Sequence, residues 1–284
     1  MKFFHGCTAL ITGASSGLGV EFARQLAPQA NSLVLTARRQ DRLDVLKAEL
    51  MRANPSLNVF CYGLDLCDSE ALERFIRWLF DQGIRINFLV NNAGLGDHEL
   101  FQSAEWPRVK SILDVNITAL TRLTHALLPT LRSFEDAAIL NVSSTVGFLP
   151  IPHLAVYAAT KAYVNSFTEA LRAELRGTGV SVTALCPGPV DTEFGVVANS
   201  GHPGAGFSAP ALLKVPVDEV VREALFAVKH DRARIIPGWP VFLLLTFLLC
   251  IPFVLIRFGL NASVAGLQEE EEKREGVARE DSVR

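Results

Sequence analysis

The sequence predicts a doubly wound α/β domain, a parallel sheet with helices on both faces. Two observations carry this. Short apolar runs alternate with longer stretches of helical periodicity, the rhythm of repeated βαβ units. The first run feeds directly into a glycine-rich turn that opens a helix, a junction suited to a phosphate group lying against a helix start. The runs cover 8–12, 32–36, 58–64, 88–91, 138–143, 181–186 and 233–236. Several are apolar throughout instead of alternating, as strands covered on both faces are.

Taken in order, the helical stretches have their own signals. Residues 17–26 follow the glycine turn. A second helix starts near Asp41 and carries Leu43, Leu46 and Leu50 at helical spacing. A third follows Asp68-Ser69, with Asp68 as the expected N-cap, and ends before Gly83. Residues 117–131 and 156–175 are long and strongly periodic. Residues 194–215 break the rhythm, with Gly201, Pro203, Gly204, Gly206 and Pro210 close together. We expect a mobile lid over the substrate there, a plain surface loop being the alternative.

The chain of 284 residues is 49% apolar, enough for one sizeable core. A net charge of -3 argues against a nucleic-acid partner. Five cysteines form no CxxC pair and the histidines are scattered, which points to reduced thiols and no metal site. The C-terminal part departs from this pattern. Residues 239–260 are apolar, with no charge from 241 to 256, Pro252 within and Arg257 at the far end. A membrane-spanning helix needs ~20 such residues, so insertion or shallow embedding is expected. A subunit contact and an internal core helix are the alternatives. Lys229, Arg232 and Arg234 precede the segment and place the domain on the cytoplasmic face of that membrane. The expected division is 1–237 for the dinucleotide-binding domain, 238–260 for the membrane-associated segment and 261–284 for a charged, disordered tail.

The chemistry lies in the motifs. Gly13, Gly17 and Gly19 follow the first strand. They let backbone amides approach a pyrophosphate, and no Gly-Lys-Ser/Thr follows to make a P-loop. The second strand ends in Ala37-Arg38-Arg39. Where NAD-binding versions of this fold carry an acidic residue for the ribose 2′-hydroxyl, guanidinium groups here suit a 2′-phosphate. The expected cofactor is therefore NADP(H), with an exposed turn as the alternative for the arginines. Tyr157 and Lys161 stand four residues apart, on one helix face, with Ser144 upstream. A phenol titrates near ~10, and an adjacent ammonium favours its phenolate, which makes Tyr157 a candidate general acid/base.

Thr12–Gly19 (TGASSGLG), Asn91-Asn92-Ala93-Gly94, Asn116, Ser144, Tyr157-x-x-x-Lys161 and Pro187-Gly188-x-Val190-x-Thr192 occur together and in this order. The chain closely resembles the short-chain dehydrogenase/reductase family in its compact single-domain form, over roughly residues 2–237. The resemblance implies seven parallel strands in the order 3-2-1-4-5-6-7. It implies that Ser15, Ser16 and Leu18 of the glycine motif, together with Ala93, Gly94, Pro187 and Gly188, line the cofactor. Asp65 and Leu66 would contact the adenine, Asn92 the adenine ribose region, and Val190 and Thr192 the nicotinamide carboxamide. Asn91 would tie neighbouring strands.

In the same reading Lys161 bonds the nicotinamide ribose and holds Tyr157 near its working pKa. Tyr157 exchanges a proton with the substrate oxygen, and Ser144 donates a hydrogen bond to it. Asn116 holds a water that connects Lys161 to solvent. Ser143 is the neighbouring alternative to Ser144, which the family's interval to Tyr157 favours. The expected activity is NADP(H)-dependent interconversion of a carbonyl and an alcohol, on an apolar, lipid-like substrate. The alternative is a catalytically inactive NADP-binding membrane adaptor. In relatives, helices equivalent to 117–131 and 156–175 pair between subunits, so a homodimer or homotetramer is expected.

Overall fold

The computed structural model describes residues 4–198, 210, 213–252 and 254–257. Most of the expected lid 194–215 and all of the tail 261–284 lie outside them. Seven strands form one parallel sheet: β1 (Thr8–Thr12), β2 (Ser32–Ala37), β3 (Asn58–Gly63), β4 (Phe88–Asn91), β5 (Ala137–Val142), β6 (Val180–Leu185) and β7 (Arg234–Ile235). Their order is β3-β2-β1-β4-β5-β6-β7, the order the resemblance implied. The expected strands are present, with ends displaced by no more than a residue where they differ.

Side-chain alternation along the strands divides the core into two layers. Ala9 and Ile11 of β1 and Leu33 and Leu35 of β2 face one cluster, which takes in Phe22, Leu43, Leu46 and Leu50. The intervening Leu10 and Val34 face the opposite cluster, with Leu72, Phe75, Leu123 and Leu127. The first layer rests on α1 (Gly17–Leu26), α2 (Gln40–Ala53) and a later helix. The second rests on α3 (Ser69–Asp81), which Asp68 caps by accepting the Ala71 N–H at 3.0 Å.

Helical backbone begins earlier than the periodicity suggested. α4 (Trp106–Leu113) passes through a π-helical turn, Asp114–Ala119, into α5 (Leu120–Leu131). α6 (Ala155–Glu174) follows β5 and a 3-10 turn, Thr145–Phe148. α7 (Glu193–Ala198) and α8 (Val217–Lys229) were not anticipated. α8 buries Val220, Val221, Ala224 and Val228 against the first layer.

The apolar segment differs from expectation. α9 runs only over Trp239–Cys250, 12 residues, short of the ~20 that cross a bilayer. Among the described residues no helix is long and apolar enough to cross a membrane. The chain divides into compact units Met1–Phe242 and Leu243–Arg284, so the first unit extends past the boundary expected at Pro237. Within it Val241 belongs to the first core layer, and its side chain stands 3.0 Å from where a Cβ on Gly188 would lie. Within the second unit Leu244, Phe247 and Leu249 of α9 are exposed.

Candidate active site

The sheet order reverses between β1 and β4, and that opens a crevice at the carboxyl ends of the strands. The turns leaving these strands are bonded to one another. Thr12 Oγ1 accepts the N–H groups of Asn92 (3.0 Å) and Ala93 (2.9 Å). Asn92 Nδ2 donates to the carbonyls of Thr12 (2.8 Å) and Gly13 (3.4 Å). The Asn92 amide nitrogen is thus engaged in holding the glycine turn. A Cβ on Gly19 would stand 2.3 Å from the Gly13 carbonyl oxygen, so α1 can rest on this turn only with glycine there. Asn91, buried, donates to Asn141 Oδ1 (2.8 Å) and Thr124 Oγ1 (3.0 Å), which joins β4 to β5 and α5.

The residues fit a dinucleotide. Ser16 stands at the N-cap of α1 in extended conformation and makes no side-chain cap bond, so the first-turn amides face the turn without a side-chain acceptor. Arg39 lies beside this turn, with Nη2 3.2 Å and Nε 3.3 Å from Ser15 Oγ. Arg38 is exposed. Leu18 packs against the first core layer, and Thr192 packs 3.2 Å from the Cβ position of Gly17. Asp65 Oδ1 accepts the Cys67 N–H at 3.0 Å just after β3, and Leu66 packs on the second layer. Val190 packs on the first.

The acid/base candidates meet at the end of β5. Ser143 is buried and donates to the Lys161 carbonyl at 2.9 Å. Ser144 turns the other way. Its Oγ donates to the Pro187 carbonyl at 3.4 Å and accepts the Val146 N–H at 3.3 Å, and it lies near enough to the Tyr157 phenol to act on its pKa. α6 presents Tyr157 and Lys161 one turn apart, with Lys161 Nζ 5.7 Å from the Tyr157 ring centroid. That ammonium group donates to the Val142 carbonyl at 2.9 Å. Asn116 sits in the π-helical turn. Its Oδ1 accepts the Leu95 N–H at 2.8 Å, and its Nδ2 donates to the Leu95 carbonyl (2.8 Å) and to Thr160 Oγ1 (2.9 Å). The side-chain amide therefore anchors the segment after Gly94. A Cβ on Gly94 would stand 3.4 Å from Lys161 Nζ and 3.5 Å from Asn116 Oδ1, so all three share one corner.

Electrostatics here depart from the sequence reading. Burial raises the Tyr157 pKa, and its bond to Ser144 is the opposing influence. Burial lowers Lys161 from 10.5 to about 8, against the Cys186 thiolate form, which would raise it. Desolvation thus moves both groups toward their neutral forms. The expected lowering of Tyr157 by Lys161 is not what the protein alone holds.

Phe194, at the start of the expected lid, stacks obliquely on Tyr157, ring centroids 5.6 Å apart. Sequence reasoning passed over three other residues at this site. Gly147 carries α6 so closely that a Cβ would stand 2.6 Å from the Lys161 carbonyl carbon. Arg42 and Glu193 form ion pairs beside Arg39. Only Arg42 had a readable signal, its place one helical turn after Arg39.

The family model described as short chain dehydrogenase matches residues 7–202. The chain belongs to the short-chain dehydrogenase family. Within it, the chain is 42% identical over 200 residues to the sulfoacetaldehyde reductase of Chromohalobacter salexigens, covering 69% of this chain and 77% of that protein. It is 36% identical over 197 residues to the NADP-dependent 3-hydroxy acid dehydrogenase of Escherichia coli, covering 69% of this chain and 77% of that one. The structure of a short-chain dehydrogenase from Sphingobium yanoikuyae in complex with NADPH superimposes with a TM-score of 0.75 at 31% identity, covering 93% of this chain and 95% of that one.

Proposed function

We propose that this short-chain dehydrogenase is an NADP(H)-dependent oxidoreductase that interconverts a carbonyl and an alcohol. The observation that carries the reading is the placement of Tyr157 and Lys161 one turn apart on α6, with Lys161 Nζ 5.7 Å from the Tyr157 ring centroid and buried Ser144 at the adjoining end of β5. When bound, the cofactor supplies or accepts the hydride. Tyr157 gives its proton to the substrate oxygen in reduction and takes it back in oxidation. Ser144 donates to the same oxygen as charge develops there. Asn116 fixes the Gly94–Leu95 backbone beside Lys161. The glycine turn, the start of α1 and Arg39 would hold the pyrophosphate and the 2′-phosphate, a reading that agrees with the NADP(H) named for two of the relatives. Asp65 and Leu66 would lie at the adenine, and Val190 and Thr192 at the carboxamide.

The test is Tyr157→Phe. A loss of roughly 10²–10⁴-fold in kcat, with NADPH binding retained, is expected from removing a general acid/base. Turnover close to wild type would remove Tyr157 as the acid/base, and NADPH binding by wild type without turnover of any carbonyl would favour a binding adaptor.

Three finer parts belong to the same proposal. The substrate is apolar, because the exposed aromatic ring of Phe194 lies against Tyr157. With NADPH, preference for short polar carbonyls over long-chain ones would remove this part alone. The exposed side chains of α9 rest in the surface of a membrane instead of crossing it. The protein is a homodimer or homotetramer through α5 and α6, where exposed Tyr163 bonds Thr121 at 2.9 Å and stacks on Phe167. Light scattering of the purified protein decides that point.

A further inference from the structure

The guanidinium groups beside the glycine turn already hold an anion of the protein's own. Arg39 Nη1 lies 3.0 Å from Glu193 Oε2. Arg42 Nη1 lies 2.7 Å from Glu193 Oε1 and 3.0 Å from Oε2. Arg39 reaches the same point with its other nitrogens on Ser15 Oγ. One carboxylate thus bridges two arginines, one at the start and one in the first turn of α2, at the position where this fold reads the ribose 2′ substituent. Glu193 follows Thr192 directly, so the bridging group arrives from the β6–α7 connection and not from the β2–α2 turn. The arginines hold the Glu193 pKa below its ordinary range, Arg42 more than Arg39.

We infer that Glu193 is an internal competitor for the cofactor's 2′-phosphate, and that Arg42 is a second guanidinium for that phosphate beside Arg39. The inference rests on the NADP(H) reading above. A phosphate carries more charge than a carboxylate and matches guanidinium geometry in the same way. It therefore displaces Glu193, since two anions on one arginine pair repel. A cofactor without the phosphate leaves the bridge intact. Glu193 thus weakens NADP(H) binding selectively and narrows the preference that the two arginines create.

Ser15, Arg39, Arg42 and Glu193 are all partly or fully exposed, so substitution leaves the core untouched. The test measures calorimetric binding of adenosine 2′,5′-bisphosphate and of AMP to the full chain, with neither hydride transfer nor substrate involved. Wild type is expected to prefer the bisphosphate. Glu193→Gln is expected to bind the bisphosphate roughly three- to tenfold more tightly, the scale of losing a partly exposed ion-pair cluster, and AMP unchanged. Arg42→Gln is expected to weaken bisphosphate binding by a similar factor. Unchanged or weaker bisphosphate binding in Glu193→Gln, while wild type still prefers it, overturns the competitor and leaves the NADP(H) reading standing. Equal binding of both ligands by wild type overturns both. A thermal melt of each variant, expected to match wild type, ensures that a binding change is not a folding change.

Discussion

At the scale of single residues, the site is governed by what burial does to charge. Tyr157 and Lys161 are neutral-favouring in the protein alone because desolvation acts on both, Lys161 buried and Tyr157 half-buried. This gives a stability signature. Unfolded, Lys161 keeps its proton up to 10.5, whereas folded it releases it near about 8. Between those values the unfolded chain binds more protons, so raising the pH favours the fold. Tyr157 acts in the opposite sense and later, because its folded pKa lies above the ordinary 10.0. Urea unfolding across the Lys161 window should therefore show stability rising with pH in wild type, and a smaller rise in Lys161→Met. An identical rise in both would remove the assignment. The sequence named these two side chains through their spacing. It did not show the desolvation, because spacing along a helix says nothing of what covers it.

At the scale of elements, α6 is located by two contacts that periodicity could not disclose. Gly147, in the 3-10 turn, lets that turn lie on the backbone of α6 at Lys161. A Cβ would stand 2.6 Å from the Lys161 carbonyl carbon, 2.8 Å from its oxygen and 2.9 Å from the Ala162 nitrogen. Backbone atoms cannot give way as a side chain can. Gly147→Ala is expected to lower stability by ~1–3 kcal/mol, as overpacking does, and to reduce turnover by moving Ser144 relative to Tyr157. A denaturation midpoint equal to wild type would contradict this. The second contact is the π-helical turn Asp114–Ala119. Its extra residue turns the Asn116 amide toward Leu95 and Thr160, and single-turn π insertions often mark functional positions. The periodicity of 117–131 revealed the helix, but its irregular entry has no 3.6-residue signature.

At the scale of the whole molecule, the membrane proposal rests on the C-terminal segment. Leu244 is 43% and Phe247 66% exposed on α9, and these are the side chains the proposal places in the surface of a membrane. Leu244→Glu with Phe247→Glu is expected to abolish co-flotation with phospholipid vesicles while leaving NADPH-dependent activity on a soluble carbonyl unchanged. Retained flotation would remove the membrane proposal. The sequence by itself determined the parallel sheet, its flanking helices and the identity of the motif residues, because apolar run length, 3.6-residue periodicity and glycine placement are local and one-dimensional. Only the tertiary structure decided that Ser143 bonds the Lys161 carbonyl while Ser144 turns to the Pro187 carbonyl, that Asn92 braces the glycine turn, and that Val241 belongs to the main core. It alone brought Glu193, at the start of α7, onto Arg42 of α2, 151 residues away along the chain, and onto Arg39 at the N-cap of α2. Such pairings depend on which strand ends the sheet order sets side by side, and no short window of sequence contains that information.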